Sequence, residues 1–231
     1  MPEATKVNAM FGRIAERYDL ANQLLSFGID RTWRDRLVDE MEWRRPKTIV
    51  DLATGSGDVA FALSQALPAF VTIKALDFCE PMIQQAKSKQ ATIENSCIDF
   101  SVGDILSLPI DSEWADAISI AFGYRNLEDR ATGLSEMKRI LRPETGHLFI
   151  LEFSQPHPVY RPFYYYYLKS LLPNMASLIT GDKAAYEYLS ESIESFPDRN
   201  GISQELREAG FSDIEAIPMA FGSVALHIAR A

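Results

Sequence analysis

Cysteine, histidine and positive charge are all scarce in this chain, and each shortage closes off a class of function. Cys79 and Cys97 are the only cysteines and lack CxxC spacing, which excludes a disulfide framework and makes a reducing cytoplasm the expected compartment. His147, His157 and His227 are scattered without metal-ligand spacing, so no metal is expected. Lys and Arg number 23 against 32 Asp and Glu, and the resulting net charge of −9 argues against a nucleic-acid partner. No apolar run is long enough to span a bilayer, and Met1-Pro2-Glu3-Ala4-Thr5 does not start a secretory signal. Repeats, low-complexity tracts and an evident linker are also missing.

What is present suits a single α/β domain. The 231 residues can bury a substantial core, and a hydrophobic fraction of 47% with 24% charged residues is that of an ordinary soluble protein. Short β-branched or apolar runs alternate with helical patterns. Strands are expected at Lys47–Ala53, Val71–Asp77, Ile98–Val102, Ala115–Phe122 and His147–Phe153, and helices over 57–67, after Pro81 and over 129–141. Val7 to Met41 reads as helical with a break at Gly28, Asp30 capping the part that holds Trp33. Helices are also expected over 186–195 and 203–209. The tail, 213–218 and 223–229, reads as an antiparallel hairpin around Gly222. The alternation implies a doubly wound, mostly parallel sheet, whose ligands bind beyond the carboxyl ends of its strands. Polar residues fall at those ends in order: Asp51, Asp77, Asp104, Arg125 with Asn126, and Glu152.

The stretch Asp51-Leu52-Ala53-Thr54-Gly55-Ser56-Gly57-Asp58 joins a strand to a helix through two glycines, an arrangement that brings backbone N–H groups close to a ligand. Its glycines satisfy the dinucleotide pattern, and Asp77 follows at about 20 residues as that pattern requires. Asp51 points elsewhere. A fixed carboxylate beside the glycines repels a pyrophosphate and attracts a cation, which favours S-adenosylmethionine, with its ammonium and sulfonium, over NAD. Asp77 is suited to a ribose diol under either reading. Asp104 could accept from an adenine amine, Ile105 offers an apolar face or an N–H, and Phe78 with Met82 could sandwich the ring or belong to the core. Arg125 cannot serve as an ordinary base, since its guanidinium stays protonated; it either holds an anionic oxygen or pairs with a carboxylate. Tyr18 requires a hydrogen-bond partner if buried. The run Phe163-Tyr164-Tyr165-Tyr166-Tyr167 is either mixed core and surface or an aromatic wall for a flat or lipidic substrate.

These residues resemble the ubiquinone/menaquinone biosynthesis C-methyltransferases, the UbiE type, among the class I S-adenosylmethionine-dependent methyltransferases. The likeness runs over about residues 8–230 in separate blocks: Met10-Phe11 to Trp33, the Asp51–Asp58 loop, Gly103-Asp104, Phe122-Gly123-Tyr124-Arg125-Asn126-Leu127, Leu151-Glu152-Phe153-Ser154, 186–197, and Gly222 to His227. It implies a Rossmann-like, seven-stranded sheet in one domain over 1–231, with residues 1–45 as a helical cover and 155–200 as a helical insertion on the substrate side. It implies S-adenosylmethionine held by Asp51, Gly55, Ser56, Gly57, Asp77, Phe78, Asp104, Ile105 and Ala121. The acceptor would be a lipophilic quinol. Arg125 would stabilise the developing oxyanion, with Tyr18 and Asp104 completing a proton relay, and the aromatic run with Leu168, Leu171 and Leu172 would give the isoprenoid tail an exit. A cytoplasmic enzyme with peripheral contact at the inner membrane face, and room for a homodimer, follows from the same likeness. Ser56 stands where the family usually has Thr, Thr54 where Gly is frequent, Ala121 where Ser is frequent, and Pro143-Glu144-Thr145-Gly146 replaces a Pro-Gly-Gly turn. A different small-molecule C- or O-methyltransferase, an NAD-dependent oxidoreductase and a non-catalytic domain remain as alternatives.

Overall fold

Seven strands form one sheet in the order β3-β2-β1-β4-β5-β7-β6. The computed structural model describes Gly12, Ser26 and residues 28–93, 98–174 and 183–231, the side chains of 183, 185 and 186 apart. The strands are β1 Thr48–Leu52, β2 Thr72–Asp77, β3 Ile98–Val102, β4 Ala117–Ala121, β5 His147–Phe153, β6 Ser212–Met219 and β7 Val224–Arg230. The first five are parallel to one another, β7 runs antiparallel to β5, and β6 antiparallel to β7. The expected hairpin is therefore present, with its second strand inserted between β5 and the edge. Chain order reverses between β1 and β4, so the switch point lies where the glycine loop leaves the sheet.

Helices cover both faces, which is why β1, β4 and β5 are buried along nearly their whole length. Helices α1 (Ile29–Arg44), α2 (Asp58–Ala66) and α3 (Glu80–Gln90) close one core through Leu37, Met41, Leu63, Ile83 and Phe149. Helices α4 (Arg130–Ile140) and α7 (Arg199–Glu208) close the other through Leu134, Met137, Ile202, Leu206 and Tyr124. Between them in sequence come α5 (Arg161–Tyr166), extended by a π-type turn over Tyr167–Leu171, and α6 (Lys183–Ser195).

Several boundaries differ from the sequence expectation for local reasons. The residue capping α1 is Gly28, left-handed at φ 72°, and not Asp30. Asp30 lies in the first turn, where its carboxylate accepts from Ser26 Oγ at 2.7 Å and pairs with Arg34 at 2.7 Å. Helix α7 begins at Arg199, earlier than the apolar pattern suggests, because Asp198 caps it by accepting from Gly201 N–H at 2.9 Å. Strand β4 stops at Ala121, where Phe122 takes φ 55° and turns the chain out of the sheet. Glu144 sits at φ 62° in the turn that replaces Pro-Gly-Gly, a conformation glycine would adopt without strain. The edge strand β6 carries Pro218 and an irregular register between Ser212 and Glu215, features that protect an open edge.

Gly57 ties the loop to the core. It has φ 91°, and a Cβ there would lie 2.8 Å from Phe61 and 2.9 Å from Phe100. Gly57→Ala combines left-handed strain with overpacking and is expected to cost about 2–4 kcal/mol. At about 2–4 °C per kcal/mol for a domain of this size, the thermal midpoint should fall by roughly 4–16 °C. An unchanged midpoint by calorimetry would show that the two rings yield freely.

Candidate active site

The glycine loop is organised from behind by Asp51. Its carboxylate, 1% exposed at the end of β1, accepts from Thr54 Oγ1 at 2.6 Å and from Ser119 Oγ at 2.7 Å. Thr54 N–H donates to the Leu76 carbonyl at 3.0 Å, tying β1 to β2 beyond their ladder. Burial pushes the Asp51 carboxyl up to about 6, against the pull of the two hydroxyls and with help from the charges of Asp77 and Asp58. At the end of β2, Asp77 accepts from Gly55 N–H at 2.8 Å and from Cys79 N–H at 2.8 Å. Its carboxyl is also raised, by burial.

A cleft opens over this loop. It is lined by Ala53, Gly55, Asp77, Phe78, Met82, Ile105, Ala121, Phe122, Gly123, Asn126 and Leu127. Close approach of the β1 and β4 ends makes its floor: a Cβ on Gly123 would lie 2.4 Å from that of Ala53. Of the residues expected to hold the cofactor, Gly55, Asp77, Phe78, Ile105 and Ala121 border the cleft directly. Asp51 supports it from below, and Ser56 is buried within the loop. Asp104 is exposed, and its Oδ1 accepts from Leu106 N–H at 2.9 Å.

The charge balance of the cleft separates the candidate cofactors. Asp58 is offset by Arg34 at 3.1 Å and Lys89 at 3.2 Å. Among the described residues, neither Asp51 nor Asp77 forms an ion pair. Two raised, uncompensated carboxylates under an apolar cleft suit a cationic, hydroxyl-bearing ligand and disfavour a pyrophosphate. The residues present thus fit S-adenosylmethionine: Asp77 for the ribose, Phe78, Met82, Ile105 and Leu127 for the adenine, and the Asp51 charge for the cationic end.

Beyond the cleft, the turn Tyr124–Asn126 forms a partition. Asn126 faces the cleft, Arg125 borders a second cavity with Tyr188 and Phe196, and Leu127 borders both. Tyr124 anchors the turn: it is fully buried, and its hydroxyl donates to Glu205 at 2.8 Å. Arg125 is held by Glu152. Its backbone N–H donates to Glu152 Oε2 at 3.1 Å and its Nη1 to Oε1 at 2.9 Å, with 4% and 2% of the two side chains exposed. Nη1 also donates to the Phe122 carbonyl. Nε is buried without a hydrogen-bond partner among the described residues. The guanidinium lies 5.2 Å from the Phe153 ring centroid, Phe153 is 4.9 Å from Phe122, and Phe122 is 6.0 Å from Trp33. The phenols of Tyr164 and Tyr188 both feel the charges of Arg125 and Glu152 and are raised mainly by burial; Tyr188 also donates to Asn126 Oδ1 at 3.1 Å.

The acidic neighbour of Arg125 is therefore Glu152, and among the described residues Asp104 forms no hydrogen bond or ion pair with it. Tyr18 lies outside the described residues. Glu152, Ser119 and Tyr188 belong to the site's network; Glu152 was expected among the polar strand ends but given no partner, and Ser119 and Tyr188 were given no site role from sequence. Glu152 and Ser119 carried a signal, since a Glu inside Leu148-Phe149-Ile150-Leu151-Glu152-Phe153 and a Ser inside Ala117-Ile118-Ser119-Ile120 must each find a partner when buried. The aromatic run is also not a uniform wall: Leu168 is 3% exposed, whereas Phe163 is 77% and Tyr166 63% exposed.

Comparison with known proteins places the chain in a family. The ubiE/COQ5 methyltransferase family matches residues 2–231. The chain belongs to that family. It is 41% identical to the demethylmenaquinone methyltransferase of Thermus thermophilus over 220 residues, 95% of this chain and 98% of that protein. It is 37% identical to a ubiquinone/menaquinone biosynthesis C-methyltransferase of Geobacter sp. strain M21, covering 96% and 95% of the two chains. A solved S-adenosylmethionine-dependent methyltransferase from Thermotoga maritima superposes with a TM-score of 0.68 at 14% identity, covering 96% of this chain and 98% of the other, and shows the shared fold. As a family member the chain is an S-adenosylmethionine-dependent C-methyltransferase, and the NAD alternative is set aside.

Proposed function

We propose that the chain methylates a ring carbon of a polyprenyl quinol in respiratory quinone biosynthesis, with demethylmenaquinol as the acceptor. The observation that carries this reading is the buried Arg125–Glu152 pair, which keeps one guanidinium N–H uncommitted beside an aromatic enclosure and next to the cofactor cleft. The relatives' printed names supply the substrate class.

Bound in the cleft, S-adenosylmethionine supplies an electrophilic methyl carbon on a sulfonium. The chain's own residues must make the acceptor carbon nucleophilic. A quinol hydroxyl that gives up its proton places electron density on the ortho carbon. Arg125 stabilises that oxyanion through its unpartnered Nε–H, and Glu152 fixes the fork so that it needs no reorganisation. Forming the carbon–carbon bond would break the methyl–sulfur bond and leave a neutral thioether; the ring C–H proton is then lost, aromaticity returns and the oxyanion is reprotonated, so that one proton in all passes to solvent. Phe153, Phe122 and Trp33 exclude water and set the ring plane. Alignment of this kind contributes several kcal/mol, about 7–11 in well-oriented reactions. Tyr164 and Leu168, on the inward side of α5 and its π turn, begin the path of the tail.

The test is methyl transfer to demethylmenaquinol and to its ubiquinol-pathway counterpart in detergent micelles. Turnover on the first is expected to exceed that on the second by about tenfold, near the limit that modest differences in head-group contact allow. Tyr164→Ala should lower the rate on a long-tailed quinol about tenfold more than on a tailless analogue, as expected from lost apolar burial. Equal losses on both would remove Tyr164 from the tail path, and no turnover on either quinol would overturn the reading.

A further inference from the structure

The chain exposes more aromatic surface on one side of α5 than a free soluble face requires. Tyr160, Phe163 and Tyr166 follow at i, i+3, i+6 and form one outward stripe, while Tyr164 and Leu168 turn inward. Phe221, 73% exposed at the tip between β6 and β7, joins the stripe with its ring 4.7 Å from that of Tyr160. Val159, 67% exposed, lies beside it. No residue of α5 is buried.

Charge sorts in the same place. The chain carries 32 acidic residues among 231, yet none occurs between Glu152 and Asp182, and none after Glu215. The two segments that build the patch are thus free of carboxylates in a protein of net charge −9, while Arg161 sits exposed at the start of the stripe. Among the described residues, Glu194 from α6 reaches this region, and Lys169 neutralises it at 2.8 Å. An apolar patch of this kind marks an interaction site. Aromatic side chains suit the boundary between headgroups and acyl chains, and a carboxylate-free, cationic rim suits an anionic surface.

We propose that the stripe Tyr160, Phe163, Tyr166 with Val159, Phe221 and Arg161 docks the enzyme on an anionic phospholipid bilayer. Among the described residues no helix is long and apolar enough to cross a membrane, so the contact is with the surface. The proposal rests on the quinol reading for its purpose. The outward face of α5 meets lipid while its inward face, through Tyr164, leads to Arg125, and a polyprenyl substrate then passes from bilayer to site along one short helix. Its test is independent of that reading, because neither quinol nor methyl donor is required.

The full chain is floated with vesicles of phosphatidylcholine, alone or with about a third phosphatidylglycerol, at low and at high salt. The wild type is expected to float with the anionic vesicles and far less with the neutral ones. Phe163→Ser with Tyr166→Ser and Phe221→Ser should lower the partition coefficient at least about tenfold, from lost apolar burial. Arg161→Gln should lower it about fivefold, and only on anionic vesicles. If the serine variant melts early, the Arg161→Gln and salt arms still decide. Wild-type protein left at the bottom of the gradient, variants that float like wild type, or binding indifferent to both salt and Arg161 would each overturn the proposal. So would light scattering in which the wild type is a dimer, the serine variant a monomer and neither floats, because the patch would then belong to a second copy of the chain. Flotation without methylation of quinols, or methylation without flotation, tells the two proposals apart.

Discussion

Arg125→Ala is expected to lower turnover on a quinol by about 10²–10³-fold while leaving S-adenosylmethionine affinity within error, the loss typical of removing one preorganised oxyanion donor. Arg125 does not border the cofactor cleft, and its only charged partner among the described residues is Glu152. The same change leaves Glu152, 2% exposed, without its counter-ion. Breaking a buried pair from one side costs about 3–5 kcal/mol, so Arg125→Ala should also melt early, and turnover alone would not separate catalysis from stability. A second variant does. Arg125→Gln with Glu152→Gln replaces two buried charges by two neutral amides able to hydrogen-bond to each other. It should regain most of the thermal midpoint yet keep the low turnover. If turnover returns together with stability, the guanidinium charge is structural and the proposed oxyanion role is lost. Glu152→Gln alone should lower turnover less than Arg125→Ala, since Glu152 positions the guanidinium and does not touch the acceptor.

The fold was legible because its signals are periodic. Alternating apolar strands and helices gave five parallel strands and a closing hairpin, and the structure changes their ends by a few residues. The misplaced starts came from caps. Gly28 in place of Asp30, and Asp198 ahead of Gly201, are choices of a single hydrogen bond or a single φ, which an apolar pattern does not report. The glycine loop and the row of polar strand ends were likewise visible, because a parallel sheet delivers its carboxyl ends to one edge. Pairing among those ends was not. That Arg125 faces Glu152 and leaves Asp104 to close its own loop depends on the neighbours β4 and β5 share, a long-range fact of strand order. The split of the aromatic run into an inward Tyr164 and Leu168 and an outward Phe163 and Tyr166 needed the helix phase, which consecutive tyrosines do not reveal.

The raised carboxyl of Asp51 gives the second large expectation, a cofactor affinity that falls as pH drops through about 6. A cation binds the ionised form, so below the folded-state value each pH unit should weaken S-adenosylmethionine by up to about tenfold. The stability of the free protein should move the opposite way. Burial raises the folded value above the ordinary carboxyl value of about 3.8, so between about 4 and 6 the folded state binds more protons than the unfolded one, and stability declines as pH rises across that window. Above it the full cost of an unpaired buried carboxylate is present. Asp51→Asn removes that cost while its amide can still meet the Thr54 and Ser119 hydroxyls. It should therefore stabilise the protein at pH 7.5 by on the order of 1–3 kcal/mol, with the gain vanishing below pH 4. It should also weaken S-adenosylmethionine by at least about tenfold, because the fixed charge beneath the glycine loop is gone. Asp77 is raised in the same direction, so whatever pH dependence survives in Asp51→Asn measures its share. Titration calorimetry from pH 5 to 8, set beside thermal melts over the same range, reads both effects. An Asp51→Asn protein that binds like wild type at pH 7.5 would reduce Asp51 to a strut for Thr54 and leave the selection of a cationic cofactor to Asp77 alone.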